Sequence, residues 1–265
     1  MVSVHVLSFD PAGVNSGIIT GGQRSLLVDS GPGPLAARTL MDRAVELAEG
    51  SDGRSQPVDV VITHDHWDHF FGTAELVRAG AETVHASTSF AADQEATAWI
   101  ALDAVRSGEE SDDYLGQLPL DPMELVVAVS PVDGSPGEHG TLDLGDCPVE
   151  FHVLGGHSTA DLIVRLPRAG IVFAGDLVEE GAPPQAGADA SLSEWANSLR
   201  ALLDFPEAEI FVPGHGRPVD RSFVERQLAD VEGLREKQSD AEVALPSRAL
   251  PGEHDRRVPR EIRVV

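Results

Sequence analysis

The segment THDHWDHFFG, residues 63–72, places three histidines and two aspartates within six consecutive positions. It follows VDVVIT, a continuous apolar run typical of a strand that is covered on both faces. If the chain is still extended at His64 and His66, both side chains point to the same side, and a turn can bring Asp68 and His69 toward them. Imidazoles together with a carboxylate are the ligands that zinc and similar divalent ions take. The segment therefore predicts a metal-binding loop at the end of a strand.

Three further residues of ligand type stand at the ends of later apolar runs. His157 lies in LGGHS, Asp176 in FAGDL and His215 in VPGHG. Glycines beside each residue allow the chain to turn sharply and bring the side chain close to a shared centre. Together with the first segment, these residues match the number of ligands that two metal ions need. The sequence therefore predicts a site that is assembled from four separate strand ends.

The elements that must position these residues alternate between strands and helices. Short β-rich runs bounded by Gly, Pro, Asn or Asp recur along the chain, among them residues 126–132. Apolar residues at helical spacing predict helices over 34–49, 73–80, 191–205 and 221–238. In each half strands lead and helices follow. This order predicts an α/β fold, a four-layer αββα sandwich of two sheets with helices outside.

Two stretches depart from this pattern. Residues 88–122 are partly helical and acidic, and we interpret them as a variable insertion near a strand end. Residues 241–265 are rich in Pro, Arg and Glu, with little periodicity, and we interpret them as a C-terminal tail on the surface. The predicted organisation is one domain over 1–240, followed by this tail.

Composition excludes several classes of partner. The 265 residues carry 44 acidic against 19 basic side chains, a net charge of −25 that repels nucleic acids and anionic lipid surfaces. The apolar runs are too short to cross a bilayer, and no signal peptide is visible. The lone cysteine, Cys147, excludes an intrachain disulfide and a thiolate-rich metal site. We expect a cytoplasmic protein with a small-molecule substrate, no nucleic-acid or membrane partner, and an oligomeric state that the sequence leaves open.

Four motifs in the order THDHWDH, GGHS, GDL and PGHG resemble those of the metallo-β-lactamase superfamily, which has the αββα fold. The resemblance implies that seven side chains hold two metal ions. The implied ligands are His64, His66 and His157 for one ion, Asp68, His69 and His215 for the other, and Asp176 as a bridge. The segment VDSG resembles an early strand end of the family and implies that Asp29 orients the metal ligands.

This ligand set implies a dinuclear-metal hydrolase in which a hydroxide between the two ions attacks a carbonyl group. Asp68 is the predicted catalytic residue, which orients the nucleophile and relays its proton. Zn²⁺ is the expected metal at both positions, with Mn²⁺ or Fe²⁺ as alternatives. The best-known zinc β-lactamases carry a cysteine where this chain has Asp176, and this difference disfavours β-lactam hydrolysis.

The full His/Asp set instead resembles that of hydroxyacylglutathione hydrolases and lactonases. We therefore expect a small ester, thioester or lactone as substrate. The segment after the GD motif, GDLVEEGAPPQAG, lacks the basic residues that bind glutathione in these relatives. Trp67 and Tyr114 are candidates for the substrate pocket, because Trp67 lies inside the motif and related lactonases use a tyrosine near the metals. Asn15 and Ser16 are assigned either to the rim of the pocket or to a turn.

Two alternatives remain open. The first alternative is an iron-dependent oxidoreductase, because persulfide dioxygenases resemble this scaffold and hold a single iron with part of the same ligands. The other is a hydrolase of a small phosphodiester, because the same two-metal chemistry serves phosphates. The charge of −25 disfavours a long RNA substrate.

Overall fold

The computed structural model describes residues 2–48, 56–108, 110–135, 138–238 and 260–265. Strands and helices follow one another along most of this length. The strands are β1 (Ser3–Phe9), β2 (Val14–Thr20), β3 (Ser25–Val28), β4 (Val58–Val61), β5 (Val84–Ser87), β6 (Ser130–Val132), β7 (Gly140–Asp143), β8 (Pro148–Val153), β9 (Leu162–Leu166), β10 (Ile171–Glu179), β11 (Ile210–His215), β12 (Val219–Asp220) and β13 (Arg260–Arg263). The helices are α1 (Pro34–Ala48), α2 (Trp67–Phe70), α3 (Thr73–Arg78), α4 (Thr88–Ser107), α5 (Asp112–Leu115), α6 (Leu192–Leu203) and α7 (Arg221–Gln238), with a 3₁₀ turn at Pro122–Leu125.

Hydrogen bonds join the strands in the order β6-β5-β4-β3-β2-β11-β10-β9-β8-β7. The first half of this path runs parallel from β3 to β6, whereas β7 to β10 are antiparallel. The halves meet where His215 on β11 pairs with Val14 on β2. The sequence predicted two sheets packed face to face, and the pairing of β2 with β11 makes the hydrogen bonding continuous between these two layers.

Three apolar cores confirm the four-layer arrangement. One core lies between the first half of the strands and helices α1, α3 and α4, and it includes Leu40, Phe70 and Phe90. A second core, around Phe151, joins residues from both halves of the path, as expected between two facing sheet layers. The third lies between the second half and helices α6 and α7, around Trp195. Each sheet layer therefore buries one face against its partner layer and the other against helices.

Local signals explain where several helices begin. Ser191 caps α6 and accepts a hydrogen bond from the backbone N–H of Glu194; both Ser191 and Ser193 are capping residue types at this start, and the structure uses Ser191. Helix α1 confirms the prediction for residues 34–49 to within one residue. The predicted strand over 126–132 is shorter, because Gln94 on α4 pairs with the backbone of Val127 and draws that end toward the helix.

The predicted insertion contains α4 and α5, and helix α4 begins at Thr88 with Ser87 as its cap. Of the predicted tail, residues 241–259 lie outside the described part of the chain. Residues 260–263 form strand β13, which extends the sheet along β1 and which the sequence analysis missed. The domain boundary at residue 240 stays a prediction. Among the described residues, no helix is long and apolar enough to cross a membrane.

Candidate metal centre

All seven predicted ligands converge on one edge of the strand layers. His64 and His66 follow β4, and the next turn of chain forms the short helix α2, which carries Asp68 and His69. The remaining three come from the second half of the chain, His157 from the turn after β8, Asp176 from β10 and His215 from the last position of β11. The strand-end logic of the sequence analysis therefore brings the right side chains together, although their role as ligands stays a prediction.

The side chains fall into two groups, and within each group the ligand atoms all lie within 4.8 Å of one another. His64, His66, His157 and Asp176 form the first group, and Asp68, His69 and His215 form the second. Their composition, nitrogen-rich with one or more carboxylates in each group, suits borderline divalent ions such as zinc.

Asp176 lies between the two groups. Its Oδ2 atom is 3.8 Å from Nε2 of both His64 and His157. Its Oδ1 atom is 3.2 Å from Nε2 of His69 and 3.5 Å from Nε2 of His215. Each oxygen of one carboxylate thus faces a different group of histidines, which is the arrangement needed for a carboxylate that bridges two cations.

Several of these atoms are buried without a hydrogen-bond partner. Among the described residues, the Nε2 atoms of His64, His69 and His215 and Oδ1 of Asp176 have none. Burying polar atoms in this state costs free energy unless something else satisfies them. Convergent, unsatisfied nitrogen and oxygen atoms of ligand type are what two divalent cations require, so the residues present fit such ions.

The outer nitrogen of His69 is fixed by Asp29. The Oδ2 atom of Asp29 accepts from Nδ1 of His69 at 2.8 Å and from the hydroxyl of Thr63 at 2.9 Å, while Oδ1 accepts from the Thr63 backbone N–H. Asp29 is buried and has a φ of 61°, in the left-handed region that residues other than glycine rarely adopt. Its place behind His69 agrees with the predicted orienting role.

The outer nitrogens of two other buried histidines, His64 and His215, also meet polar groups. Nδ1 of His64 lies 3.1 Å from the Thr63 hydroxyl, and Nδ1 of His215 donates to the carbonyl of Ala12 at 3.2 Å. In both rings these contacts direct Nε2 toward the centre. A hydrogen-bonded outer nitrogen fixes the tautomer and the orientation of a ligand histidine.

The turn that carries His157 is organised by Asp161. Its carboxylate accepts hydrogen bonds from the backbone N–H groups of His157 and Ser158, at 2.7 and 2.8 Å, and from the Ser158 hydroxyl. The preceding Gly156 has a φ of +125°, and a Cβ there would lie 2.4 Å from the Cα atom of Trp195. Glycine is thus required both for the turn and for the close approach of α6.

His66 is oriented from the opposite side of the cleft. Its Nε2 atom lies 3.1 Å from Oδ2 of Asp189, which leaves Nδ1 as the nitrogen available to a metal ion. Although burial lowers the pKa of His66, the hydrogen bond to Asp189 and the charge of Asp176 raise it to about 9. This contact is the most solvent-exposed of those that orient the histidines.

Charge is unevenly distributed over the centre. Burial, together with the nearby His69, lowers the pKa of His64 well below its ordinary value, so its imidazole is neutral. Burial also lowers the pKa of His69, but the charges of Asp176 and Asp29 outweigh it and hold the pKa well above the ordinary value. Burial raises the pKa of the Asp176 carboxyl, yet His215 and His69 hold it well below the usual range. The carboxylates are therefore ionised and can neutralise bound cations.

The predicted catalytic Asp68 belongs to the second group. Its Oδ2 atom lies 3.3 Å from Nε2 of His215. Burial raises the pKa of its carboxyl, but the nearby His69 and His215 hold it below the ordinary range. Asp68 is thus a buried carboxylate within the second group.

The candidate pocket residues Trp67 and Tyr114 contact each other. Their ring centroids are 5.6 Å apart, and Trp67 also packs against Phe71. The Tyr114 hydroxyl donates to the carbonyl of Pro32 at 2.8 Å, and burial raises the pKa of Tyr114. The two rings pack against each other at the start of α2, and their contact with a substrate stays a prediction.

Sequence reasoning missed or misassigned several residues that build the centre. Asn15 was assigned to the rim or to a turn, but it lies buried on β2 and donates to the carbonyls of Pro213 and Gly216, both at 2.9 Å. It thereby fixes the turn that carries His215. Asp161 was detectable as an acid four residues after His157, the spacing of a side chain that closes a turn. Asp189 lies in a Gly- and Pro-rich segment with no periodic pattern, and no local signal marks it.

Comparisons with known proteins agree with this geometry. The family profile described as the metallo-beta-lactamase superfamily matches residues 9–215. The acyl-coenzyme A thioesterase MBLAC2 of Gallus gallus is 26% identical over 212 residues, which cover 76% of this chain and 72% of that protein. The metallo-beta-lactamase type 2 of Bacteroides fragilis is 34% identical over 88 residues, only 30% of this chain and 35% of that protein.

Solved structures extend the likeness to the whole fold. A metallo-beta-lactamase from Erythrobacter litoralis superposes with a TM-score of 0.61 at 23% identity, covering 87% of this chain and 92% of that structure. At this identity the likeness shows the fold alone. Because the family profile spans every predicted ligand from His64 to His215, and the fold and the convergence of these side chains agree with it, the chain belongs to the metallo-beta-lactamase superfamily.

Proposed function

We propose that the protein is a dinuclear-metal hydrolase that cleaves a small thioester, with esters and lactones as related substrates. The observation that carries this proposal is the position of Asp176, whose two oxygens face two different groups of histidines. A single ion would account for only one of these two oxygens, whereas two ions account for both. Two groups of ligand atoms joined by a shared carboxylate are the protein contribution to two-metal hydrolysis.

The residues of the chain have distinct tasks in this proposal. His64, His66 and His157 hold one Zn²⁺ ion, and His69, His215 and Asp68 hold the other. When bound, such ions supply a water of lowered pKa and a Lewis acid that stabilises the developing oxyanion. Zn²⁺ is favoured because five of the seven side chains are imidazoles, with Mn²⁺ and Fe²⁺ as alternatives.

Asp68 is the proposed proton relay. Its carboxylate is ionised and lies beside His215, so Oδ2 can hold the proton that the attacking water loses and deliver it to the leaving group. Because Asp68 is also a proposed ligand, its position is fixed on α2 with respect to both groups. Proton transfer then requires no movement of the backbone.

Thioester cleavage is favoured among the hydrolytic reactions by one relative. The printed name of MBLAC2 describes an acyl-coenzyme A thioesterase, and this relative matches the chain over 72% of its length. The segment after Asp176 is acidic and proline-rich, which offers no cluster of cations for glutathione. We therefore propose a thiol leaving group without assigning the acyl donor to glutathione.

A substrate screen tests the proposal. Thioesters, esters, lactones, β-lactams and small phosphodiesters are offered to protein loaded with Zn²⁺, Mn²⁺ or Fe²⁺. Thiol release from the thioesters is read with a chromogenic disulfide, and the products of the other substrates are separated by chromatography. The single cysteine, Cys147, is 1% exposed and will not interfere with this reading. We expect thioester turnover by the zinc form with two ions per chain.

Variants connect this activity to the site. Asp176→Ala and His66→Ala should lower the bound metal and abolish thioester hydrolysis, while circular dichroism shows an intact fold. Full activity in either variant contradicts the dinuclear site. One iron per chain, together with oxygen consumption on a thiol persulfide, supports the iron-dependent oxidoreductase instead. If phosphodiesters are cleaved faster than thioesters, the protein is a phosphodiester hydrolase and the thioester assignment is wrong.

A further inference from the structure

The segment of residues 180–191, which we call the strap, joins β10 to α6 and contacts the surroundings of the metal centre at both ends and at Asp189. At its start, the backbone N–H of Glu180 donates to the carbonyl of His215 at 3.2 Å. The Glu180 side chain accepts a hydrogen bond from the backbone N–H of Arg217 at 2.8 Å. The first residue of the strap is therefore fixed to the turn that carries a ligand of the second group.

The other end of the strap is fixed to a ligand of the first group. The backbone N–H of Ser191 donates to the carbonyl of Gly156, beside His157, at 2.8 Å. Between these anchors, Asp189 reaches His66 at 3.1 Å. One segment without regular secondary structure thus contacts the turns of three proposed ligands that come from distant parts of the chain.

His66 differs from the other histidines in how it is held. Asp29 and Asp161, which orient His69 and the His157 turn, have side chains that are 3% exposed. The Asp189 side chain is 41% exposed, and that of His66 is 32% exposed. The other orienting groups belong to the core or its edge, whereas the orientation of His66 depends on where the strap lies.

We propose that Asp189 is a positioning residue for His66, and that through it the strap and the first metal site stabilise each other. With Nε2 of His66 bonded to Asp189, Nδ1 is the nitrogen left to face the ion. Without Asp189 the ring can rotate and expose either nitrogen. This inference rests on the metal sites of the proposed function and adds a coupling that those sites do not require.

Metal binding to the full-length protein tests the coupling. The parent, Asp189→Ala, Asp189→Asn and Glu194→Ala are titrated with Co²⁺ and Zn²⁺, reading the Co²⁺ visible spectrum and the Zn²⁺ affinity against a chelator. Glu194→Ala is the matched control, because Glu194 is an exposed acid at the start of α6 whose removal changes the charge equally. Hydrogen exchange of residues 181–190 is followed with and without Zn²⁺.

We expect Asp189→Ala to bind the first ion about 10-fold more weakly and to change the Co²⁺ spectrum, as loss of a ligand's hydrogen-bond partner does. Asp189→Asn should recover part of the affinity, since its amide oxygen still accepts from Nε2. Zn²⁺ should slow exchange in the strap of the parent more than in Asp189→Ala. Parent-like binding by Asp189→Ala, or an equal loss in Glu194→Ala, overturns the role of Asp189. Absence of metal binding by the parent instead refutes the proposed function.

Discussion

Gly214 lies so close to Asp176 that it leaves no room for a side chain. A Cβ atom built on Gly214 would lie 1.8 Å from Oδ1 of Asp176, whereas ordinary contact begins at 3.4 Å. In the Gly214→Ala variant this oxygen must therefore move by about 1.6 Å. It is the oxygen that faces His69 and His215, at 3.2 and 3.5 Å.

The carboxylate is the end of a short side chain, so it can turn away, and the 3.0 Å approach of the new Cβ to the carbonyl carbon of Gly175 requires only a small backbone shift. We therefore expect the fold to survive and the metal centre to fail. A misplacement of about 1 Å costs on the order of 100-fold in activity, and the calculated movement exceeds this. Gly214→Ala should thus lose at least about 100-fold in hydrolysis and release the ion of the second group.

The assay measures zinc per chain, hydrolysis rate and thermal unfolding of the metal-free protein. Gly233→Ala is the matched control, because a Cβ at Gly233 on α7 meets nothing within 4 Å. This control should keep its metal and gain about 0.5–1 kcal/mol of stability from the better helix former. If Gly214→Ala binds two ions and keeps the parent's activity, Asp176 does not act from the position seen here.

Three other predictions follow from single contacts. Asp29→Asn should weaken zinc binding by about 10–100-fold in a chelator competition, because Asp29 holds the outer nitrogen of His69; unchanged affinity contradicts this orienting role. Burial raises the pKa of the Cys147 thiol, so it should react with a thiol reagent far more slowly in the native protein than in denaturant, and equal rates would show that it is accessible. Glu261→Ala should speed hydrogen exchange along β1, because Glu261 bonds to His5 and Arg43 and fixes β13 in place; unaltered exchange would mean that strand pairing alone suffices.

The residues that could be predicted from the sequence are those whose signal is local. His64, His157 and His215 each stand at or just after the end of an apolar strand beside a turn or a glycine, so neighbouring residues mark their position. Asp176 was also predicted at a strand end, but it lies within β10, where the pairing with β11 is irregular after Gly175. The four-layer fold follows from the same alternation of strands and helices. Ser191 is a local signal of the same kind, a capping residue directly before an amphipathic pattern.

The residues that escaped prediction act over long distances in the chain. Asn15 bonds to carbonyls 198 and 201 positions away, and Asp189 bonds to a histidine 123 positions away. Neither has neighbours that mark its task, because the partner appears only when the two halves of the chain meet. The short strand β13 was missed for a similar reason, since its pairing with β1 is set by a distant edge rather than by its own polar sequence.

The meeting of the halves at Val14 and His215 has a thermodynamic consequence. Each group of ligand atoms takes members from both halves, His64 with His157 in one and His69 with His215 in the other. Ions held by these groups would act as two cross-links between the layers, absent from the unfolded chain. At free metal 1,000-fold above the dissociation constant, such binding adds about 4 kcal/mol per site to the free energy of unfolding. The bound ions would then hold the two sheet layers together, and the melting temperature would rise with the concentration of free zinc.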